Sequence, residues 1–396
     1  MYSTRGLSPL LALVAASAVV SRVLRLVSRS PVIMSESSKT TRRPIGRGAP
    51  VAPPNRFEST ALEDDFSDLS EEDLFELHPA KVPTTFLPDA SRSILCSNDS
   101  PDIPFRFSIN PYRGCEHGCA YCYARPGHEY LGMNAGLDFE SKVLVKHDAA
   151  ELLRDELGKA SWKCEPIAIS GVTDCYQPAE RHFKITRSLL EVMLEANQPC
   201  GIVTKNALVL RDLDLLVPMA ERNLIRVFLS VTTLDQELAQ SLEPRTSTPA
   251  GRLAAIEQLH AAGVPVGAMM APIIPGLNDE EIPAVLTAVA EAGALTAAYV
   301  LLRLPLAVEP IFREWLAVNV PLKRDRVEGL IRSTRGGNLS ENRFGHRMRG
   351  GGQYAEQIAT TFKVFRQKLG LDQPLPPQVT DRFRPPRSSS GQQMLF

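Results

Sequence analysis

Cys115, Cys119 and Cys122 stand at C-x3-C-x2-C spacing in the stretch Asn110-Pro-Tyr-Arg-Gly-Cys-Glu-His-Gly-Cys-Ala-Tyr-Cys-Tyr. Thiolates this close in sequence can converge on one metal centre, and soft sulfur selects zinc, Cu(I) or an iron–sulfur cluster. A structural zinc wants four protein ligands, and the loop offers only His117 as a nearby fourth. On a cubane cluster, three thiolates leave one iron open to a substrate or cofactor. A thioredoxin-like redox pair of Cys119 and Cys122 is a further reading of the spacing.

Such a loop needs a scaffold, and the chain supplies one from Phe105 onward. Short apolar runs read as strands at Phe105–Asn110, Ile167–Ser170, Gly201–Thr204, Arg226–Val231, Val264–Met270 and Ala297–Leu302. Between them, helical periodicity marks Ala149–Leu157, Thr186–Ala196, Leu213–Ala220, Gly251–Ala262 and Glu280–Ala290. Strand–helix alternation predicts right-handed βαβ units and a parallel sheet. Periodicity alone does not separate a partial barrel from an open, doubly wound sheet. In either, functional residues gather at the carboxyl ends of the strands, and the cysteine loop follows the first candidate strand.

Tyr121 completes a C-x3-C-x-aromatic-C motif, and Tyr121-Cys-Tyr-Ala-Arg-Pro-Gly-His-Glu-Tyr-Leu-Gly extends it. On these residues the chain, from about Ser97 to Gly370, resembles the radical S-adenosylmethionine (SAM) enzymes. Within them it is similar to a DNA repair photolyase-like subfamily distantly related to the spore photoproduct lyases. The resemblance implies a partial (β/α)6 TIM-type barrel with C-terminal helices and disordered tails. It implies a [4Fe–4S] cluster on Cys115, Cys119 and Cys122, with SAM chelating the fourth iron. Reductive cleavage would then give methionine and a 5′-deoxyadenosyl radical that abstracts hydrogen from substrate. The electron would come from a low-potential donor of the flavodoxin or ferredoxin type. Nucleic acid or another anionic molecule is the leading substrate by family analogy, which is associational. The reading from a different class is a non-enzymatic iron–sulfur or zinc protein, such as a regulatory binder.

The resemblance also assigns residues at the other strand ends. Gly171, Thr173 and Asp174 occupy the place of the motif that meets the SAM amino group, although Ser-Gly-Val-Thr-Asp replaces the usual glycine-rich run. A strand-to-helix turn with an Asx cap is the alternative there. Lys205 resembles the lysine near the SAM carboxylate, where a cation makes a charge-assisted hydrogen bond. Ser230 resembles a hydroxyl contact to ribose or methionine. Arg245 would hold the SAM carboxylate with Glu243 orienting it, or the two form an ordinary surface ion pair. Ala271–Asp279 resembles the segment along adenine. Photoproduct lyases donate hydrogen from a cysteine before a Ser/Thr-Asp stretch; Gly171 holds that position here. Cys175 falls after Thr-Asp and is the candidate to face the cavity instead. Cys164 and Cys200 read as buried structural thiols.

The remaining sequence sets boundaries. The 396 residues carry a net charge of −1, so no global basic field advertises nucleic-acid binding. Arg343, His346, Arg347 and Arg349 form a local basic patch before Gly350-Gly-Gly352, with Arg332 and Arg335 close by. A Gly-rich loop opening a helix can cradle phosphate, although the spacing is not a P-loop. Seven cysteines, an odd count, argue for a reducing compartment, which points to the cytoplasm. The apolar run Leu7–Val20 is short for a membrane span, which needs ~20 residues; translation from Met34 would remove it. The expected organisation is a leader and disordered or acidic region over residues 1–96, a core over 97–305, a helical extension over 306–371 and a disordered tail over 372–396.

Overall fold

The computed structural model describes residues 46–58 and 82–387, and the backbone of two strands, β1 (Leu24–Ser28) and β2 (Thr60–Asp64). β1 and β2 pair antiparallel within a unit formed by residues 1–45 and 54–82. Residues 46–53 and 83–396 form the other unit. The apolar leader, Met34 and most of the acidic Glu63–Glu76 stretch lie outside the described residues.

The larger unit begins with β3 (Thr85–Pro88), β4 (Leu95–Ser97), β5 (Phe107–Ile109) and β6 (Tyr112–Arg113). After the cysteine loop come α1 (Leu137–Ser141), β7 (Lys142–Val145) and α2 (Ala149–Gly158). The alternation continues through β8 (Ile167–Ile169), α3 (Glu180–Phe183), α4 (Ile185–Ala196), β9 (Cys200–Thr204), α5 (Leu213–Glu221) and β10 (Ile225–Ser230). It closes with α6 (Gln236–Leu242), α7 (Pro249–Ala261), β11 (Val266–Ile273), α8 (Ile282–Glu291) and β12 (Thr296–Leu301). Three C-terminal helices follow, α9 (Val308–Asn319), α10 (Arg324–Ser333) and α11 (Gln353–Lys368).

The principal sheet runs β12-β11-β10-β9-β8-β5-β4. The strands β5, β8, β9, β10, β11 and β12 are mutually parallel, and all six stand where sequence alternation predicts them. β4 adds an antiparallel edge. The register aligns Ile109, Ile169, Ile202, Val227 and Val266 across five strands. All five are fully buried, so the face they share is covered, while their neighbours along β8, β9 and β10 are partly accessible and Val203 is exposed. β12 and β4 are the sheet edges. Arg347 Nε and Gly345 N–H both donate to Asp102 at 2.7 Å, which ties the segment after β12 to the β4–β5 connection. A small second sheet, β3-β7-β6, carries the cysteine loop, because β6 leads straight into Gly114 and Cys115.

Two stretches expected to lack structure are tied down instead. Residues 46–53 lie on the cysteine loop: Arg47 is buried, and Gly48 N–H and Ala49 N–H donate to the Glu140 carboxylate at 2.9 and 2.7 Å. The tail expected to be free from Asp372 is anchored as far as Arg387. Gln378 donates to the carbonyls of Cys200 and Leu224, Val379 to Asn223, and Arg384 to Ala196. Neither stretch forms helix or strand, so composition alone reads as disorder; distant carbonyls and one carboxylate supply the missing partners.

Two of the C-terminal helices, α9 and α10, share a core with the cysteine loop, while α11 packs into the main core. Cys119, Ala120 and Tyr121 cluster with Val308, Phe312, Trp315 and Leu316 of α9 and Val327 and Ile331 of α10. Trp315 is fully buried, stacks on Phe312 and donates its indole N–H to the Ser241 carbonyl at 2.9 Å. Trp315→Ala should therefore cost ~3–5 kcal/mol by leaving a cavity. The expected lower denaturant midpoint, with loss of order in the cysteine loop reported by faster exchange of its amides, checks that these helices support the site.

Candidate functional site

The cysteine loop hangs at the carboxyl side of β5. Gly114, with φ +83°, turns the chain out of β6, and a Cβ there would meet Phe139 O and His128 at 2.9 Å. Cys115 and Cys119 are buried and Cys122 is partly exposed. The backbone of the loop is held from outside. Cys115 N–H donates to Phe139 O at 2.9 Å, and Ala120 N–H donates to Leu242 O at the end of α6 at 3.0 Å.

The fully buried Arg125 organises the centre of the loop. Its Nε donates to Cys119 O at 3.0 Å, and Nη2 donates to Gly118 O and Cys119 O at 3.1 and 2.8 Å. Nη1 reaches Ala135 O and Gly136 O, and Nη2 also pairs with Glu140 at 2.5 Å. The same Glu140 carboxylate receives the strap at Gly48 and Ala49. Strap and loop touch so closely that a Cβ on Gly48 would lie 1.6 Å from the Gly118 carbonyl oxygen.

The donor set suits an iron–sulfur cluster. Burial, followed by the charge of Glu243, pushes the Cys119 thiol well up. Burial, followed by Cys115, pushes Cys122 up to about 11. Both thiols are therefore protonated when no metal is bound, and a coordinating cation would deprotonate them. His117, the one candidate for a fourth ligand, is already engaged. Its Nδ1 faces Asp174 at 3.4 Å and its Nε2 faces the Asn206 amide nitrogen at 3.2 Å. Asn206 Oδ1 accepts from Leu208 N–H and Ser247 Oγ, so its amide nitrogen is the group that faces Nε2. Both ring nitrogens are thus used inside the protein. Among the described residues, no group of three or more His, Cys, Asp or Glu could hold a single metal ion. A cubane asks for less convergence, because each thiolate binds a different iron.

The strand ends expected to meet SAM divide into two sets. The first set holds the loop. Gly171 N–H and Val172 N–H donate to Asn110 Oδ1 at 2.8 and 2.7 Å, and Gly171 O accepts the Tyr123 hydroxyl. Thr173 donates to Gly114 O at 2.7 Å. Asp174 accepts from Thr204 Oγ1 and Lys205 N–H at 2.7 and 2.8 Å and faces His117. Thr173 and Asp174 therefore join the cysteine loop to the ends of β8 and β9. Ser230 is buried at the end of β10, and its carbonyl accepts from Arg252 at 2.9 Å.

The second set centres on Glu243. The expected partnership of Glu243 with Arg245 does not form. Arg245 pairs with Glu116 at 3.1 Å and with Thr84 at 3.3 Å. Glu243 pairs with the fully buried Arg252 on α7, which also donates to Ser230 O, Ser247 O and Thr246. The reason is geometric: α7 brings Arg252 back under the strand ends, while Arg245 points along the loop. Glu243 further accepts the Tyr121 hydroxyl and Thr232 Oγ1, the latter at 2.7 Å. Lys205 Nζ stands 4.0 Å from Glu243, donates to Ala271 O at 3.1 Å and lies over the Tyr121 ring. Lys205 is thus a partly accessible cation near Cys119 and Cys122.

Cys175, expected to face the cavity, is fully buried in the main apolar core beside Tyr176, Ile185 and Leu189. Its backbone N–H donates to Ser170 Oγ at 2.9 Å. The turn after Asp174 directs this thiol inward. Cys200 is fully buried, and Cys164 is half-buried with its thiol 3.7 Å from Gln198. Sequence reasoning missed Arg125 and Glu140 and gave Arg252 no role: Arg125 meets its partners across an unpatterned turn, Glu140 also takes Gly48 and Ala49 far along the chain, and Arg252 reaches Glu243 through the path of α7. The Arg-Pro after Tyr123-Ala was the one available hint. The basic segment does return to the sheet, since Leu301 N–H donates to Met348 O at 2.9 Å. Arg343 pairs with Glu341 at 2.8 Å and Arg347 with Asp102 at 2.7 Å. The buried Arg335 donates to the carbonyls of Leu301, Leu302 and His346.

A three-thiol loop at the carboxyl edge of a parallel sheet defines the class: an α/β protein whose cofactor site is built on strand ends. The radical SAM superfamily model matches residues 109–289, from the end of β5 into α8. An uncharacterised protein of Mycobacterium tuberculosis is 38% identical over 232 residues, 58% of this chain and 68% of that protein. One from Methanocaldococcus jannaschii is 31% identical over 216 residues, 54% of this chain and 77% of that protein. Spore photoproduct lyase complexed with dinucleoside spore photoproduct superposes with a TM-score of 0.53 at 16% identity, covering 72% of this chain and 79% of that one. A double mutant of that lyase, with bound AdoMet and the dinucleoside, gives 0.52 at 15% identity, covering 72% and 78%. These two likenesses are of fold. The chain belongs to the radical SAM superfamily, and with that membership come a [4Fe–4S] cluster and SAM.

The Glu243 pair yields a pH prediction. Burial alone would raise this carboxyl, but Arg252 and then Lys205 hold it down at about 2, against a usual 4.5. A carboxylate depressed on folding stabilises the fold above its unfolded pKa and loses that contribution as pH falls through the folded value. Glu243→Gln strands Arg252 as an unpaired buried cation and should cost ~3–5 kcal/mol at neutral pH. Denaturant melts at stepped pH should show the deficit against wild type shrinking from pH 4.5 towards 2. A constant deficit would mean that the pair is not what depresses the carboxyl.

Proposed function

We propose that Cys115, Cys119 and Cys122 each bind one iron of the cluster, and that the protein is a radical SAM enzyme acting on a nucleotide-containing substrate. When bound, the two cofactors supply a 5′-deoxyadenosyl radical that removes a hydrogen atom from substrate, the hard step being the cofactor's own. The observation that carries the reading is the buried Glu243–Arg252 pair with Lys205 and Tyr121 near Cys119 and Cys122.

The residues take the following parts. Lys205 is the cation for the SAM carboxylate, held in place by Ala271 O and Glu243. Glu243 fixes Tyr121 through its hydroxyl, and so fixes the backbone between Cys119 and Cys122. Gly171 stands at the end of β8 and the buried Ser230 at the end of β10, both on the carboxyl side of the sheet. Thr173, Asp174 and Arg245 act on the loop: Thr173 and Asp174 hold Gly114 and His117, and Arg245 holds Glu116. Cys175 does not supply hydrogen from its place in the apolar core, so re-donation follows a different route from a cysteine at this position. The electron comes from a low-potential flavodoxin- or ferredoxin-type donor, and the free thiols suit a reducing, cytoplasmic setting. Among the described residues, no helix is long and apolar enough to cross a membrane.

The test is anaerobic reconstitution with iron and sulfide, then reduction with dithionite in the presence of SAM. Wild type should release 5′-deoxyadenosine. Cys115→Ala, Cys119→Ala and Cys122→Ala should each lose iron and fall to background, whereas Cys200→Ala should keep its iron. No 5′-deoxyadenosine from fully loaded wild type would refute the reading.

A further inference from the structure

Arg303 is a cation at the carboxyl end of the sheet whose one hydrogen bond, among the described residues, is to a methionine sulfur. It follows β12 by one residue beyond Leu302, at the carboxyl end of the sheet. Its guanidinium lies 5.7 Å from the Tyr123 ring centroid, and Tyr123 comes directly after Cys122. The Tyr123 hydroxyl is fixed on Gly171 O after β8, so ring and guanidinium link the end of β8 to the end of β12. Among the described residues, Arg303 has no carboxylate partner; its hydrogen bond is a weak one to Met348 Sδ at 3.7 Å.

The neighbouring charges are satisfied elsewhere. Arg347 and Gly345 N–H occupy Asp102, Glu341 takes Arg343, and Glu116 takes Arg245. Arg349 is exposed and lies over Tyr299. Burial, then the like charge of Arg347, pulls the Arg303 pKa down against the opposing pull of Tyr123 and Asp102. A half-buried guanidinium stacked on an aromatic face is poised for bidentate recognition of a phosphate. One exposed ring flanks it: Tyr123 is 52% exposed. An exposed ring beside an arginine is the arrangement on which a base stacks while the backbone is neutralised.

We propose that Arg303, carried on Tyr123, binds a phosphate group of the substrate, with the exposed Tyr123 ring taking an attached base. The proposal rests on the radical SAM reading above for its site and deepens it by naming the residue and the substrate group that meet there. It moves the expected anion contact from the Arg343–Arg349 patch, where two arginines are paired, to a residue beside the cluster loop.

The experiment uses full-length, cluster-loaded protein and two probes: a fluorescein-labelled oligothymidylate and thymidine monophosphate. Wild type, Arg303→Gln, Arg303→Lys and Arg343→Gln are titrated with each over a range of salt. Arg303→Gln should weaken binding about ten- to a hundredfold, the loss of charge-assisted hydrogen bonds. It should lower the salt slope for the strand by about one. Arg303→Lys keeps the charge but not the fork and should fall between. Arg343→Gln should bind as wild type does. A loss confined to oligothymidylate assigns a phosphodiester, and an equal loss with thymidine monophosphate assigns a terminal phosphate. Equal affinities for wild type and Arg303→Gln, no binding of either probe by wild type, or lost SAM affinity in place of probe affinity would overturn the proposal. The 5′-deoxyadenosine assay on wild type stands apart: its failure with Arg303-dependent probe binding intact would sink the enzyme reading and leave the phosphate site.

Discussion

A buried guanidinium holds this site together. Arg125 has no contact with water, and every hydrogen bond it gives is to the cysteine loop, to the turn at Ala135–Gly136 or to Glu140. A buried charge is tolerable only when paired and fully hydrogen-bonded. The loop carbonyls of Gly118 and Cys119 must therefore point at Arg125, which fixes where the adjacent thiols go. The other face of Glu140 closes the strap at Gly48 and Ala49, and the contact at Gly118 leaves no room for a side chain at residue 48.

A second buried pair divides the labour. Glu243 and Arg252 sit on the far side of the loop and hold Tyr121, Thr232 and the end of β10. One pair sets the backbone that carries the thiols; the other sets the polar surface beside them. Helices α9 and α10 back both through the cluster around Trp315. The site thus draws on residues from Arg47 to Ile331, and it is complete only when the whole unit has folded. Cofactors bound by the folded state alone add their binding free energy to its stability.

The local part of this was legible in the sequence, and the non-local part was not. The thiol spacing lies within one loop, and the six parallel strands carry their own apolar runs, so both could be read from neighbours in sequence. Arg252 and Arg245 are the same residue type a few positions apart, and only the path of α7 decides which one meets Glu243. Arg125 and Glu140 pair across a turn with no periodic signal. The stretches 46–53 and 372–387 are poor in apolar residues and rich in Pro, Gly and Arg, so their order depends on partners far along the chain. Cys175 shows the opposite failure: its position in sequence suggested the cavity, but the turn after Asp174 rotates it into the core.

The central claim is that three thiols hold a cubane with one iron left open to SAM. Electron paramagnetic resonance of the dithionite-reduced, reconstituted protein tests it most directly. The account predicts a reduced [4Fe–4S] signal that changes when SAM is added, and whose SAM-induced change is weakened in Lys205→Ala. A protein that binds zinc but no iron, or a cluster signal unmoved by saturating SAM, would contradict it.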